Sequence, residues 1–168
     1  FLQGHGVSTT YAVKIYKQYG DGSIATVTEN PYQLATDIYG IGFLTADRIA
    51  RNIGVSPWSK FRYEAGILHF LGEAAEDGHC FLPQPELVKL AVEQLTTEEH
   101  ITEADTVLTV IEQMGIELKL VVEMVGEMPL CYKPSFFYTE QHLAKLLNKQ
   151  VDSVVEVDRD RVRDWIAR

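Results

Sequence analysis

Ile38-Tyr39-Gly40-Ile41-Gly42-Phe43-Leu44-Thr45-Ala46-Asp47-Arg48-Ile49-Ala50 is the stretch from which the organisation of this 168-residue chain is read. Two glycines flank one apolar residue, and an amphipathic run follows with Ala46, Ile49 and Ala50 on one side. Shifting the sequence by 34 positions lays Gly6-Val7-Ser8 on Gly40-Ile41-Gly42. The same shift lays Ala12 on Ala46, Lys14 on Arg48, Ile15 on Ile49, Lys17 on Arg51 and Gly20 on Gly54. The first sixty residues are therefore a tandem repeat. Each copy is a tight turn, a helix with a small residue in its first turn, two cations three positions apart, and a terminating glycine.

Each feature has a physical role. The first glycine of the turn admits backbone angles closed to other residues, and the missing side chain at the second lets another molecule approach the amides. The first N–H groups of the helix that follows lack intrahelical partners and sit at the positive end of its dipole, so they attract an anion. Asn30-Pro31 supplies an expected N-cap and first helical residue for the helix before the second hairpin, with Leu34 and Ile38 four apart on it. The second copy resembles the helix-hairpin-helix motif, which implies that its hairpin amides hold a DNA phosphate without reading bases. The first copy departs from the motif, because Ser8 stands where the second glycine is expected. The candidate phosphate-binding residues are Gly40, Ile41, Gly42, Thr45, Arg48 and Arg51, with Gly6, Ser8, Lys14 and Lys17 from the first copy. That reading requires amides beside Ile41 to face outward, unpaired. The alternative is a close-packed connector whose paired cations are a solvated helix face.

Composition bounds the rest. A 46% hydrophobic and 23% charged content is that of a folded chain, and no run reaches the ~18 apolar residues of a membrane span, so no membrane partner is expected. Neither an initiator Met nor a signal sequence opens the chain, which reads as an excised piece. Cys80 and Cys131 lie far apart outside any CxxC spacing, which points to a reducing cytoplasm, with both as small core residues. The net charge of −9 is unevenly divided. Residues 1–63 hold six basic and four acidic groups, a net +2, and the remainder holds nine basic and twenty acidic groups, a net −11. Nucleic-acid contact is therefore sought in the first part.

From Lys60 onward the periodicity gives a helix with Tyr63, Ile67, Phe70, Leu71 and Ala74 on one face, then a strand-like run His79–Pro83, then a helix from about Pro85. A third helix follows, with Thr102 as its expected cap. Ile116, Leu118, Leu120, Val122 and Met124 alternate with polar residues as a half-buried strand, Gly126-Glu127 turns, and Leu130–Lys133 returns. Helix, strand, helix, helix, strand, turn, strand is the order of a winged helix. Its third helix offers three carboxylates and no cation, so a structural or protein-docking role is expected rather than groove reading. Beyond Ser135, Thr139 is an expected cap for a helix carrying Leu143, Leu146 and Leu147, and Asp158–Ile166 reads as a short mixed-charge piece whose Trp165 and Ile166 would offer a docking surface. The fold class is mainly α with a small antiparallel β-hairpin: a tandem helix-hairpin-helix over 1–59, a winged-helix-like domain over 60–134, and a connector helix and tail over 135–168.

Taken together, Phe1–Ser8, Ile15–Gly20, Glu29–Leu34, Gly40–Ala50 and Asp77–Pro83 resemble the N-terminal region of RecD-like (RecD/TraA type) ATP-dependent DNA helicases of bacteria, over about residues 1 to 148. The resemblance implies an accessory region that precedes a 5′ to 3′ motor using ATP and magnesium, with DNA and the motor domains as partners. The chain itself holds no G-x-x-x-x-G-K-[ST] loop and no Gly-Lys pair, so no ATPase activity and no cofactor are expected of it. His79, Cys80, Cys131 and His142 lack the closely spaced ligand pairs of zinc sites, and neither a metal site nor a catalytic residue is expected. Two functions follow: a DNA-backbone-binding region, or a scaffold that docks on the motor or another protein without touching DNA.

Overall fold

The computed structural model describes residues 2–5, 7–151 and 159–166. It is mainly helical, with nine α-helices and one three-stranded sheet among the described residues. It falls into two compact units, Phe1–Pro134 and Ser135–Arg168.

The tandem repeat opens the first unit. α1 (Thr9–Tyr19) and α4 (Phe43–Asn52) are the equivalent helices of the two copies; their starts fall in register at the 34-residue shift and their ends within one residue. Ser8 and Gly42 hold the equivalent N-cap positions, both with extended backbone. Gly20 and Gly54 follow the helices at φ 55° and 84°, conformations that L side chains rarely adopt. α2 (Ser23–Glu29) and α3 (Gln33–Asp37) lie between them. The Asn30 side chain accepts the Tyr32 amide at 3.1 Å, so the Asn-Pro pair forms a turn and α3 starts two residues later than the sequence indicates. Val7, Ile15, Val27, Leu34, Ile38, Ile41 and Ile49 form one small core. The Tyr19 hydroxyl donates to Asp37 at 2.8 Å and braces α1 against α3.

A larger core lies under α5 (Lys60–Glu76), α6 (Gln84–Leu95) and α7 (Ala104–Ile116). Its fully buried members include Ile67, Leu87, Leu95, Val107, Ile111 and Met114. α4 borders both cores. Ile49 points into the small one, whereas Phe43, Ala46 and Ala50 join the large one, with Phe43 in ring contact with His69 and Phe70. β1 (Leu82–Pro83), β2 (Val121–Val125) and β3 (Met128–Tyr132) form an antiparallel sheet in the order β1-β3-β2, pairing Leu82 and Val122 with Cys131. The element order from Lys60 is the one read from the sequence. Burial pushes the Cys131 thiol up to about 11, as befits an inert core residue.

Three sequence expectations are corrected here. The alternating run does not begin a strand at Ile116: that residue ends α7, Leu118 turns the chain at φ 58°, and pairing starts at Val121. Salt bridges secure this turn, as Lys60 and Lys119 flank Glu117 and Glu64; Lys119 and then Lys60 hold the Glu117 carboxyl down at about 2. Thr102 does not cap α7; it is buried, its amide donates to the Thr96 hydroxyl at 3.0 Å, and Glu103 takes the cap position. In the second unit, α8 (Pro134–Val151) starts at its proline, so Thr139 lies inside the helix. Leu143, Leu146 and Leu147 are exposed on α8, as are Trp165 and Ile166 on α9 (Arg159–Ile166). The start of the mixed-charge tail, Asp158, lies outside the described residues, as does Gly6.

Gly66 on α5 faces Leu95 of α6 without room for a side chain. A Cβ there would lie 2.9 Å from a methyl of the fully buried Leu95. Gly66→Ala is therefore expected to destabilise the chain by about 1 to 2 kcal/mol in urea denaturation, although the same change in an open helix gains about 1 kcal/mol.

Candidate nucleic-acid interface

The hairpin between α3 and α4 is set by two local constraints. Gly40 sits at φ 88°, and Ile41 buries its side chain in the small core while its amide donates to the Ile38 carbonyl at 3.0 Å. Ile41 is thus the anchor of the turn and has no free amide. The amides that follow it differ. Gly42, Phe43 and Leu44 make no hydrogen bond among the described residues, and the first intrahelical donors are Thr45 and Ala46, both to the Gly42 carbonyl. Gly42 and Leu44 are exposed and Phe43 between them is buried, so unpaired N–H groups lie at the start of a ten-residue helix. An anion is the species such a helix start accommodates.

Nothing inside the fold demands glycine at 42. Its φ of −94° and ψ of 177° suit any residue, and a Cβ there would meet no atom within 4 Å. The first copy shows what a side chain does at this position. Ser8 has the same extended backbone, and its hydroxyl accepts the Tyr11 amide at 3.3 Å, so this helix start caps itself. The two copies share a backbone plan and differ in whether the helix start is open.

The cations are distributed in a way the repeat does not indicate. Lys14 belongs to α1, yet its ammonium donates to the Tyr39 carbonyl at 3.0 Å and would stand 3.1 Å from a Cβ on Gly40. It places a positive charge on the second hairpin. Arg48 is exposed on α4, and Lys17 is exposed on α1; neither pairs with an acid among the described residues. Arg51 is engaged differently from its repeat mate, for its guanidinium holds Asp47, with Nε 3.1 Å from Oδ2. Tyr39, 99% exposed, and Leu44, 71% exposed, flank the hairpin. Sequence reasoning did not single them out, and the signal was present: both are large residues off the apolar stripe that carries Ile38, Ile41 and Ile49.

Asp47 fixes α4, and through it the hairpin. Its Oδ1 accepts from Arg62 Nε at 2.8 Å and from the Tyr32 hydroxyl at 2.9 Å, and its Oδ2 accepts from Arg51. Arg62, 2% exposed, also donates to the carbonyls of Leu95 at 2.8 Å and Pro57 at 3.2 Å. Burial alone would raise the Asp47 pKa, but the hydrogen bonds from Arg62 and Arg51 outweigh it and hold the carboxyl below its ordinary 3.8. Burial, with Asp47 beside it, drives the Tyr32 phenol far above its usual range. No group of three or more His, Cys, Asp or Glu is placed to hold a metal among the described residues, and no helix among them is long and apolar enough to cross a membrane.

Two copies of a turn-helix plan, one of which keeps an open, glycine-led helix start, define a helix-hairpin-helix region. Residues 1–81 match the family model described as the ATP-dependent RecD2 DNA helicase HHH domain, and the match supports a helix-hairpin-helix region of the RecD-like kind in this part of the chain. The chain is also similar to the ATP-dependent RecD2 DNA helicase of Deinococcus radiodurans, 27% identical over 161 residues, an alignment that takes in 87% of this chain. It covers 21% of that relative, so the chain spans about a fifth of the helicase's length.

The Asp47 arrangement has a measurable pH signature. A carboxylate whose folded pKa is depressed contributes stability above its unfolded value, near 4, and loses that contribution as the pH falls through the folded value. Asp47→Asn, which leaves the Arg62 charge buried and unmatched, is expected to cost about 3 to 5 kcal/mol at neutral pH. Its urea-unfolding stability should fall less than that of the parent chain between neutral pH and about pH 3.

Proposed function

We propose that this region binds the sugar-phosphate backbone of DNA without reading sequence. A phosphate sits against the amides of Gly42, Phe43 and Leu44, and Lys14 and Arg48 supply the surrounding positive charge. The observation that carries this reading is the open helix start at Gly42, a glycine that neither φ nor packing requires, with a lysine from the other repeat placed on the same hairpin. Gly40 and Ile41 shape the turn, Thr45 lies in the first turn of the helix, and Arg51 acts mainly through Asp47. In the first copy Ser8 occupies the equivalent helix start with its own hydroxyl, which leaves Lys17 a background cation there. Amide contacts with phosphate oxygens carry no base information, so affinity should be general and strongly salt-dependent.

The parent protein is, on this reading, a cytoplasmic bacterial 5′ to 3′ DNA helicase acting in DNA repair or recombination, its motor using ATP and magnesium. These 168 residues contribute DNA contact and no turnover, because no phosphate loop of the Gly-Lys-Ser/Thr type is among them. The segment from Lys60 to Pro134 acts as a winged-helix-like support. A docking role for it is favoured by α7, whose exposed Asp105 and Glu112 and neighbouring Glu103 would repel phosphate, and by the exposed apolar Ile116, Leu118 and Met124 at its end and on the wing.

Fluorescence anisotropy with a labelled oligonucleotide, at about 50 and about 200 mM salt, tests the first reading. Lys14→Ala and Arg48→Ala are each expected to weaken binding about threefold to tenfold and to flatten the salt dependence, whereas Arg51→Ala should act chiefly on stability. Gly42→Ser, which copies the first repeat, should lower affinity while changing stability by only a few tenths of a kcal/mol. Unchanged affinity in all three of Lys14→Ala, Arg48→Ala and Gly42→Ser would remove the proposal.

A further inference from the structure

A cavity of about 720 Å³ lies at the other end of α4, away from the hairpin. Its walls are the loop that follows α4, with Ser56 and Trp58, and the loop between α6 and α7, with Glu98 and Glu99. Trp58 is 65% exposed, a large solvent-facing area for a tryptophan in a folded chain. It is also held in place. Its ring meets His100 edge-on, with centroids 5.7 Å apart, and His100 is fixed by the Tyr63 hydroxyl at 2.6 Å from Nε2 and by its own amide, which donates to the Thr97 hydroxyl at 3.1 Å. The indole is a backed platform with most of its surface open.

The charges around this platform sum to a negative value. Arg51 also lines the cavity and shares Asp47 with Arg62, so it keeps part of its positive charge, but Glu98 and Glu99 are both exposed and pair with no cation among the described residues. The Ser56 hydroxyl oxygen is buried in the wall without a hydrogen-bond partner. An open indole face and two unmatched carboxylates are complementary to a planar, multiply donating cation. We infer that this cavity is a docking site for an arginine side chain presented by a basic segment of a partner protein. The guanidinium stacks on Trp58 and donates to Glu98 or Glu99. Arginine fits better than lysine, because its flat, weakly hydrated head stacks on an aromatic face and offers several donors at once. A nucleic-acid base would also stack on Trp58, but its phosphates would have to pass the two carboxylates. The site is separate from the hairpin, and the inference does not depend on the DNA-binding proposal.

Trp58 fluorescence reads the site directly once Trp165 is replaced by Phe in the 168-residue chain. The probes are a short acetylated, amidated Gly-Gly-Arg-Gly-Gly peptide, the same peptide with neutral citrulline for arginine, and oligothymidylate. The arginine peptide is expected to change Trp58 emission saturably and the citrulline peptide to bind at least about fivefold more weakly. Glu98→Gln combined with Glu99→Gln, both exposed and harmless to folding, should weaken the arginine peptide by a similar factor, with circular dichroism unchanged. Equal response to the arginine and citrulline peptides, no response to either, or no effect of the double carboxylate substitution would overturn the inference. So would a Trp58 response to oligothymidylate that the arginine peptide fails to displace, since that result assigns the platform to nucleotides.

Discussion

A carboxylate and a guanidinium that meet out of water decide how the first unit is put together. Asp47 lies on the helix shared by the two cores, where an unpaired charge would be prohibitive, and every lone-pair direction it offers toward Arg62, Arg51 and Tyr32 is used. Arg62 is also held at its other end, since Nη1 donates to the backbone carbonyls of Leu95 and Pro57. A buried ion pair of this kind is a weak source of net stability compared with apolar residues of the same size. Its effect is geometric. The guanidinium has a fixed fork of donors, and its bonds through Nε and Nη1 set α5 against α4 and bring the end of α6 and the loop after α4 to the same point. The direction of α4, and so the place where its N-terminus opens, follows from that.

The two repeats show how one backbone plan takes on two tasks. Val7 and Ile41, and Ile15 and Ile49, bury equivalent positions in the small core, so both copies are needed to close it. At the helix starts they diverge by one side chain. A serine satisfies its helix from within, and a glycine leaves the same donors to the outside. The first copy then supplies the second with Lys14, whose ammonium crosses to the Tyr39 carbonyl. A self-capped helix start in the first copy and the placement of its lysine on the second hairpin are two parts of one arrangement.

Charge separates the rest of the unit from this end. Residues 1–63 carry a net +2 and the remainder a net −11, and α7 displays its acids outward. A polyanion is repelled less by the first part than by the second. The carboxylates at Glu98 and Glu99 belong to the second part but close a cavity with Trp58 from the loop after α4, so the boundary between the two charge regions is itself a feature of the surface.

Much of the architecture was legible in the residues. The 34-residue repeat, the glycine stops, the helical faces of α5 and α6 and the element order after Lys60 all reside in short-range patterns, which the backbone periods of helix and strand make readable. The strand start was not legible, because Ile116, Leu118 and Leu120 alternate like a strand while the first ends a helix, the second turns at positive φ and the third is buried in the core. The role of Thr102 failed for a similar reason: its amide donates to the Thr96 hydroxyl, an acceptor that no local rule anticipates. Local spacing shows that Arg51 is four residues from Asp47 and able to pair with it, but the burial of Arg62 against the same carboxylate joins positions 15 residues apart on different helices. Lys14 at the second hairpin, and Trp58 opposite Glu98 and Glu99, are likewise products of packing. By itself the sequence determined which helices form, in what order and which face of each is apolar, because those depend on neighbours within a turn or two. Only the tertiary structure decided which cations remain available and which amides remain bare, because a charge or a donor is free or engaged according to what distant parts of the chain bring within about 3 Å of it.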